Sequence, residues 1–145
     1  MKINKIDHIG IRVTDFERTK AFYAQLGFIS LREDMNERVI AVSHPSGITL
    51  NFLDSANNHY EIKNVLMDID EKHAGYTHCA FHVDAIEEAV TFAQAHNITI
   101  SEGPVTFGNG KTSLFIRDPD YNVIEFTQDP STSASHQQRP HNGHH

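Results

Sequence analysis

The chain has 145 residues, a formal net charge of −7 at pH 7 and a mean hydropathy of −0.43. This length suits one ordinary domain, which buries roughly two-thirds of the surface that its unfolded chain exposes. The negative charge and the scattered placement of the 12 Lys and Arg residues argue against nucleic-acid binding, and no apolar run is long enough for a membrane span. One cysteine cannot form an internal disulfide and the start turns polar too early for a signal peptide, so we expect a cytoplasmic protein.

The first part of the chain predicts a strand followed by a helix. A turn at Thr14-Asp15 separates the two patterns, and either residue is a plausible helix N-cap. Gly27 suits the left-handed position that ends a helix. The residues on one strand face are Ile9, Ile11 and Val13, and those at helical spacing are Phe16, Thr19, Phe22, Tyr23 and Leu26.

The same pattern returns when residue 8 is aligned with residue 78. The segment "DHIGIRVTDFERTKAFYAQLGF" then matches "THCAFHVDAIEEAVTFAQAHNI". In the second copy Cys79 and Phe81 share the apolar strand face, and we expect the Cys79 thiol to behave as a small buried hydrophobe. Asp84 is the expected N-cap, and Asn97 takes the place of Gly27 because Asn also tolerates the left-handed backbone.

A second alignment, offset by four further residues, extends the repeat. It matches "AVSHPSGITLNF" at 41–52 with "FIRDPDYNVIEF" at 115–126, and both read as strand, turn and strand. With one more strand near 29–33 or 98–102, each half reads β-α-β-β-β, which predicts an α+β fold. The predicted organisation is a first module at 1–53, a connector at 54–74, a second module at 75–129 and a disordered tail with four histidines at 130–145.

The helix of each module must cover the apolar face of its strands, so the alternate strand residues point to the other face. Those residues are His8, Gly10 and Arg12, then Thr49, Asn51 and Leu53, and in the second copy His78, Ala80 and His82, then Val123, Glu125 and Thr127. If these second faces confront one another across a pseudo-twofold axis, His8, Asn51, His78 and Glu125 converge. Two imidazoles and one carboxylate form a facial ligand set for a divalent metal and leave coordination positions open.

Together, the duplicated segments, "GYTHCAFHV" and "FIRDPDYNVIEF" resemble the vicinal oxygen chelate superfamily over about residues 3–128. This superfamily includes glyoxalase I, fosfomycin-resistance proteins, extradiol dioxygenases and bleomycin-resistance proteins. The resemblance implies two paired β-α-β-β-β modules that form a U-shaped eight-stranded sheet around a cleft, with the helices outside. It also implies one divalent ion, either Mn, Fe, Ni, Zn or Co, bound by His8, His78 and Glu125.

Asn51 occupies the position at which glyoxalase I carries a second Glu. An amide cannot act as a carboxylate base, so glyoxalase I activity is not expected, and Asn51 is instead a hydrogen-bonding candidate beside the metal. His82 and Tyr121 are candidate acid-base residues if the protein resembles extradiol dioxygenases, although a cleft-wall or solvent-facing role is favoured for His82. Tyr121 stands where the superfamily usually has Gly, so a left-handed backbone there would be strained by roughly 1 kcal/mol.

The sequence therefore predicts a metal-dependent enzyme that uses the ion as a Lewis acid on a small molecule with adjacent oxygen atoms. Lyase, thiol transferase (as in fosfomycin resistance) and dioxygenase reactions stay open. The alternative is a metal-free small-molecule-binding protein of the bleomycin-resistance type, and a third possibility is a scaffold that keeps the metal without turnover. The resemblance implies a homodimer, and neither nucleic acid nor a membrane is an expected partner.

Overall fold

The computed structural model describes residues 1–58 and 63–130. Within them, the order of strand, helix and three strands occurs twice, which confirms the predicted β-α-β-β-β repeat and the α+β class. The first set comprises β1 (Ile9–Arg12), α1 (Phe16–Gln25), β2 (Ile29–Asp34), β3 (Val39–Ser43) and β4 (Thr49–Leu53). The second set comprises β5 (His78–His82), α2 (Ile86–Ala95), β6 (Ile100–Thr106), β7 (Thr112–Arg117) and β8 (Val123–Gln128).

The chain divides into two compact units between Lys63 and Asn64, and each unit contains one four-stranded sheet. The strand order is β1-β4-β3-β2 in the first and β5-β8-β7-β6 in the second. In both sheets the first strand runs parallel to the last, and the other neighbours are antiparallel. The predicted tail lies outside the described residues except for Pro130, and the predicted connector boundaries stay a prediction.

The core of the first unit lies between α1 and one face of its sheet. The Tyr23 ring of α1 packs 5.2 Å from the Phe52 ring of β4 and 5.8 Å from the Phe28 ring, measured between centroids. Tyr23 and Phe52 are 2% and 0% exposed, so this aromatic contact is fully removed from water. The other buried residues of this core are Val13, Phe16, Thr19, Ile40, Val42 and Leu50.

The second unit repeats this arrangement with smaller aliphatic side chains. Helix α2 packs against β6, β7 and β8. Its buried residues recur at helical spacing, as the sequence predicts. The buried set comprises Ile86, Ala89 and Ala93 of α2 with Leu114, Ile116, Val123, Ile124 and Phe126 of the sheet.

The two helices begin differently. The Asp15 carboxylate accepts a hydrogen bond of 3.0 Å from the Arg18 backbone N–H, so Asp15 is the N-cap of α1. The expected N-cap of α2, Asp84, is wrong: the N-cap is Ala85, which has no side-chain acceptor. Asp84 lies one residue too early, and the side chain of Gln128 on β8 accepts the Ile86 backbone N–H at 2.6 Å instead.

The helix ends agree with the sequence patterns. Gly27 has φ of +101° and Asn97 has φ of +56°, so both adopt the predicted left-handed backbone after their helices. Strand β6 begins two residues later than expected and continues to Thr106, and β1 begins just after His8. In the part of the chain that the structure describes, no helix has the length and apolar character needed to cross a bilayer.

Candidate metal centre

Strand alternation and register place two of the predicted ligands on one face of the second sheet. Along β5 the side chains of His78, Ala80 and His82 are exposed, while those between them are half-buried. Strands β5 and β8 are parallel, with His78 opposite Val123 and Ala80 opposite Glu125. Since residues two apart share a face, His78 and Glu125 are diagonal neighbours on the face away from α2.

The side chains of His78 and Glu125 make direct contact. His78 Nε2 lies 2.9 Å from Glu125 Oε1, which is hydrogen-bonding distance. The His78 side chain is 34% exposed and that of Glu125 is 14% exposed, so both remain accessible while the carboxylate is mostly shielded from water. An imidazole nitrogen and a carboxylate oxygen are thus adjacent at a partly desolvated point of the sheet.

Each member of this pair has a second polar partner. The Ser113 hydroxyl of β7 donates a 2.6 Å hydrogen bond to Glu125 Oε2, and the Thr77 hydroxyl lies 2.9 Å from His78 Nδ1. The Phe115 ring packs edge-on against the imidazole, with 6.0 Å between ring centroids. Neither Ser113 nor Thr77 was predicted from the sequence. A small polar residue inside the apolar stretch "SLFI" was the available signal for Ser113.

The first unit carries the equivalent positions with different side chains. His8 Nδ1 lies 2.8 Å from Asp7 Oδ2, and the His8 side chain is 45% exposed. This hydrogen bond, together with the charge of His8, lowers the pKa of Asp7. Asn51 on β4 occupies the position of Glu125, with Gly10 of β1 and Ala41 of β3 opposite it in register. Asn51 therefore has small register neighbours on β1 and β3, and neither of them is a carboxylate.

His82 lies at the far end of β5 and forms an exposed ion pair. Its Nε2 is 3.1 Å from Asp129 Oδ2, and Lys111 Nζ is 3.8 Å from the other oxygen of that carboxylate. The side chains of His82 and Asp129 are 54% and 65% exposed, so the contact contributes little to stability. The structure does not bring His82 into contact with His78 or Glu125, and its predicted acid-base role stays a prediction.

Tyr121 lies in the turn between β7 and β8 and has φ of +65°, which is the left-handed backbone considered from the sequence. The buried Asp118 carboxylate organises this turn by accepting the backbone N–H groups of Asp120 and Asn122, each at 2.9 Å. Asn64 Nδ2 also donates a 3.1 Å hydrogen bond to the Tyr121 carbonyl. These contacts hold the strained residue in place.

Arg117 anchors the segment before the second module to the same turn. Its guanidinium donates two hydrogen bonds of 2.8 Å to the Asp68 carboxylate and lies 5.9 Å from the centre of the Tyr121 ring. The Arg117 hydrogen bonds, with one from the Asn64 backbone, lower the pKa of Asp68 to about 2. The surroundings of Tyr121 are therefore those of a structural junction, and a catalytic role for Tyr121 stays a prediction.

Cys79 is half-buried on the face of β5 that points toward the core. Burial raises the pKa of its thiol, because a thiolate is poorly stabilised where water is excluded. The thiol is thus protonated at neutral pH.

The donor atoms at this site suit a divalent cation. Imidazole nitrogen combined with carboxylate oxygen is a ligand set for Mn, Fe, Ni, Zn and Co, and the outer hydrogen bonds to Thr77 and Ser113 are typical of metal-binding side chains. Among residues 1–58 and 63–130, no group of three or more His, Cys, Asp or Glu side chains is assembled as a metal site. His8 belongs to the other unit, so a third ligand from His8 stays a prediction.

Comparisons with known proteins agree with the fold and the repeat. Residues 5–126 match the family described as the Glyoxalase/Bleomycin resistance protein/Dioxygenase superfamily. The virulence protein STM3117 of Salmonella typhimurium is 29% identical over an alignment of 133 residues, and the match covers 88% of this chain and 86% of that protein.

Two solved structures share the fold. A glyoxalase/dioxygenase from Nostoc punctiforme has a TM-score of 0.70 and 25% identity, covering 88% of this chain and 92% of its own. TnmS3, an antibiotic binding protein from Streptomyces sp. CB03234, has a TM-score of 0.66 and 20% identity, covering 90% of this chain and 99% of its own. The family match spans most of the chain and confirms the resemblance seen in the sequence. The protein belongs to the Glyoxalase/Bleomycin resistance protein/Dioxygenase superfamily.

Proposed function

We propose that this protein is a metal-dependent enzyme that acts on a small molecule with adjacent oxygen atoms, with His8, His78 and Glu125 as metal ligands. The observation that carries the proposal is the contact of 2.9 Å between His78 Nε2 and Glu125 Oε1 on a partly desolvated sheet face. A bound divalent ion would supply Lewis-acid polarisation of the substrate oxygens. Membership of the superfamily supports this chemistry, because many of its members are metal-dependent enzymes.

The residues around the pair would bind and orient the substrate. Gly10 and Ala80 leave space beside Asn51 and Glu125, since each pairs in register with one of them. Asn51 would donate or accept a hydrogen bond to a substrate oxygen, but it cannot remove a proton from carbon. We therefore propose a thiol transferase or dioxygenase type of reaction ahead of glyoxalase I activity.

The charge of the ligand set favours an anionic substrate oxygen. Two neutral imidazoles and one carboxylate would leave a divalent ion with a formal charge of about +1, whereas a second carboxylate in place of Asn51 would neutralise it. Water is largely excluded around the Glu125 carboxylate, and the weaker screening there would strengthen the attraction between the ion and the substrate oxygen.

Metal analysis of the purified protein tests the site. The four histidines after residue 130 should first be replaced by Ser in every variant, because histidines outside the proposed site can bind stray metal. We expect about one equivalent of metal in this parent, and its loss in His8→Ala, His78→Ala and Glu125→Gln. His96→Ala is the matched control, since His96 follows α2 and packs on Phe92 with 4.7 Å between ring centroids. Equal metal content in the parent and the three site variants would show that the assignment is wrong.

A metal-free binding protein is the second candidate. The direct contact of 2.9 Å between His78 Nε2 and Glu125 Oε1 can pair these two polar groups without an ion, which favours this candidate. A structural neighbour described as an antibiotic binding protein shares the fold. A parent protein that carries no metal and takes up none from solution, yet binds a planar small molecule, would establish this function instead.

Screening of the metal-loaded protein would identify the reaction. The three test substrates are the methylglyoxal-glutathione adduct, fosfomycin with thiols, and catechols. We expect the first to react weakly or not at all because of Asn51.

We also propose a cytoplasmic homodimer, on the ground of the chain's length and the superfamily resemblance, and light scattering of the full chain tests the dimer.

A further inference from the structure

Each proposed metal ligand has one polar atom already engaged by a neighbouring side chain. In each case the engaged atom is not the one that we propose as the metal-binding atom. The three contacts are His8 Nδ1 to Asp7 Oδ2 at 2.8 Å, His78 Nδ1 to Thr77 Oγ1 at 2.9 Å, and Glu125 Oε2 to Ser113 Oγ at 2.6 Å. The remaining donor atoms are Nε2 of both histidines and Oε1 of Glu125, and Nε2 of His78 lies 2.9 Å from that Oε1, so a cation would replace this contact.

The two histidine contacts occupy equivalent positions of the repeat. Asp7 and Thr77 each directly precede the histidine that they contact. Consecutive side chains of a regular strand point to opposite faces, so contact between them is not the default arrangement. Here each contact forms at the start of a strand, and it forms in both units with different chemistry. This recurrence indicates that the position itself serves to hold the ring.

The chemistry of the two partners differs in a way that fits their histidines. The Asp7 carboxylate can only accept, so it requires the proton of a neutral His8 to be on Nδ1 and leaves the Nε2 lone pair free. The Thr77 hydroxyl can donate or accept. A neutral His78 can therefore carry its proton on Nε2, where it bonds Glu125 at 2.9 Å, or on Nδ1, where it frees Nε2 for a cation.

Ser113 plays the corresponding part for the carboxylate. The Ser113 side chain is 0% exposed. It lies on β7, which pairs with β8 on one side and with β6 on the other. The 2.6 Å hydrogen bond from this buried hydroxyl engages Oε2, while Oε1 is the oxygen that lies 2.9 Å from His78 Nε2. Glu125 would therefore offer one oxygen to a cation.

We propose that Thr77 and Ser113 are positioning residues that direct Nε2 of His78 and Oε1 of Glu125 toward a divalent cation, and that Asp7 in the first unit holds the His8 ring with its Nε2 free in the same way. The inference rests on the proposed function, which supplies the cation. Outer partners of this kind typically change metal affinity by roughly 10- to 100-fold. The buried Ser113 should have the largest effect, Thr77 a smaller one, and the exposed Asp7 the smallest.

The first test measures Co(II) affinity by chelator competition, and the visible spectrum of the bound Co(II), in the full chain. We expect Ser113→Ala to weaken binding by about 10- to 100-fold and to change the spectrum, and Thr77→Val to weaken it by about 10-fold. Ser113→Cys retains most of the side-chain volume but is a weak donor, so it should behave like Ser113→Ala. Thr77→Ser retains the hydroxyl and should restore parental binding.

The matched controls lie in the same sheet. Ser101→Ala removes a hydroxyl that bonds the Phe115 carbonyl at 3.1 Å, and Thr106→Val removes one that bonds the Thr112 hydroxyl at 2.9 Å. Both should leave Co(II) binding unchanged. If Ser113→Ala and Thr77→Val bind Co(II) as these controls do, the positioning inference is wrong while the proposed function stands.

The second test needs no metal. Nitrogen chemical shifts of the histidine rings in metal-free protein, at a pH where the rings are neutral, report which nitrogen carries the proton. We expect His8 with its proton on Nδ1, and a shift toward Nε2 in Asp7→Ala. A parent protein in which His8 carries the proton on Nε2 would overturn the inference, even if no metal bound.

Discussion

The two units share a backbone plan, yet their equivalent strands carry different chemistry. On β8 the carboxylate of Glu125 contacts His78 and is held by a buried hydroxyl from β7. On β4 the equivalent residue is Asn51, which lies opposite Gly10 and Ala41 in register. The second unit thus concentrates the charged and hydrogen-bonded groups, and the first offers an amide and open space. The comparison teaches that duplication fixed the positions, and that each copy then acquired its own side chains.

The turns before the last strand of each unit differ from the sheet faces. In both turns a side chain accepts the backbone N–H two residues later, although the residues differ. In the second unit the Asp118 carboxylate accepts the Asp120 backbone N–H at 2.9 Å. In the first unit the His44 ring accepts the Ser46 backbone N–H through Nδ1 at 3.0 Å. A contact that shapes the fold is thus preserved with a new acceptor, whereas the contacts around Glu125 are absent from the first unit's strands.

Converting the second unit to the chemistry of the first should have the largest effect. We expect Glu125→Asn to reduce metal affinity by more than the roughly 100-fold that outer partners can cost, because a direct ligand and its charge are lost. Chelator competition measures this loss. Asn51→Ala is the matched control in the first unit, and it should change affinity by less than about 10-fold. Similar losses in the two variants would mean that the units contribute equally to the site.

The reciprocal change should add function. Asn51→Glu supplies a second carboxylate beside small neighbours, so the site would resemble that of glyoxalase I. We expect this variant to bind metal more tightly and to convert the methylglyoxal-glutathione adduct faster than the parent, since a carboxylate can act as a base. Asn51→Gln is the control, because the Gln side chain has the same length as that of Glu but carries no charge. Equal rates for the Glu and Gln variants would exclude the base role.

The sequence predicted the fold well because its evidence is local. Alternation in β1 and β5 and helical spacing in α1 and α2 each concern residues close together in the chain. The contact between His78 and Glu125 follows from the same alternation once β5 and β8 are paired. The predicted face was correct for both, so their proximity is a consequence of register.

The remaining contacts depend on pairings that alternation does not specify. Ser113 reaches Glu125, and Gln128 caps α2, only because β7 and β8 are neighbours with one particular register. Asp84 was expected to cap α2 because the repeat aligns it near Asp15, but a shift of one residue removes the cap. No local pattern relates His8 of the first unit to Glu125 of the second.

Acid should weaken the second unit through the ion pair between Asp68 and Arg117, which has no counterpart at the equivalent position of the first unit. Arg117 lowers the pKa of Asp68 to about 2, whereas the repeat position of Arg117 in the first unit is Ser43. A lowered carboxyl pKa stabilises the fold above the unfolded value of about 4 and loses this effect as pH falls toward 2, because the unfolded chain binds the proton first. After allowance for solvent screening, this stabilisation is about 1 to 2 kcal/mol.

Hydrogen exchange of backbone amides in each unit, measured between about pH 5 and pH 2, tests this prediction. The second unit of the parent should lose protection as pH falls, after correction for intrinsic exchange rates. Asp68→Asn should be less stable at neutral pH but should lose less on acidification. If Asp68→Asn retains the parental pH dependence, another carboxylate is responsible.

The helix N-termini should differ in their sensitivity to mutation. Asp15→Ala removes the acceptor for the Arg18 N–H and should cost about 1 kcal/mol, whereas Asp84→Ala should cost only a few tenths. Gln128→Ala should resemble Asp15→Ala, because it leaves the Ile86 N–H without its acceptor. Urea unfolding measures all three. An equal loss of stability in Asp84→Ala and Asp15→Ala would mean that Asp84 does cap α2, as the repeat predicts.

The smallest difference concerns the left-handed residue in the equivalent turns, Gly47 with φ of +102° and Tyr121 with φ of +65°. A Cβ at Gly47 would meet nothing within 4 Å, so Gly47→Ala tests backbone strain alone and should cost about 1 kcal/mol. Tyr121→Gly relieves similar backbone strain, but it removes the contact with Arg117 and raises the conformational entropy of the unfolded chain. These effects oppose one another, so the stability of this variant should stay within about 0.5 kcal/mol of the parent. Thermal unfolding measures both variants. A loss of more than about 1.5 kcal/mol in Tyr121→Gly would mean that the tyrosine ring stabilises the junction more than its backbone strains it.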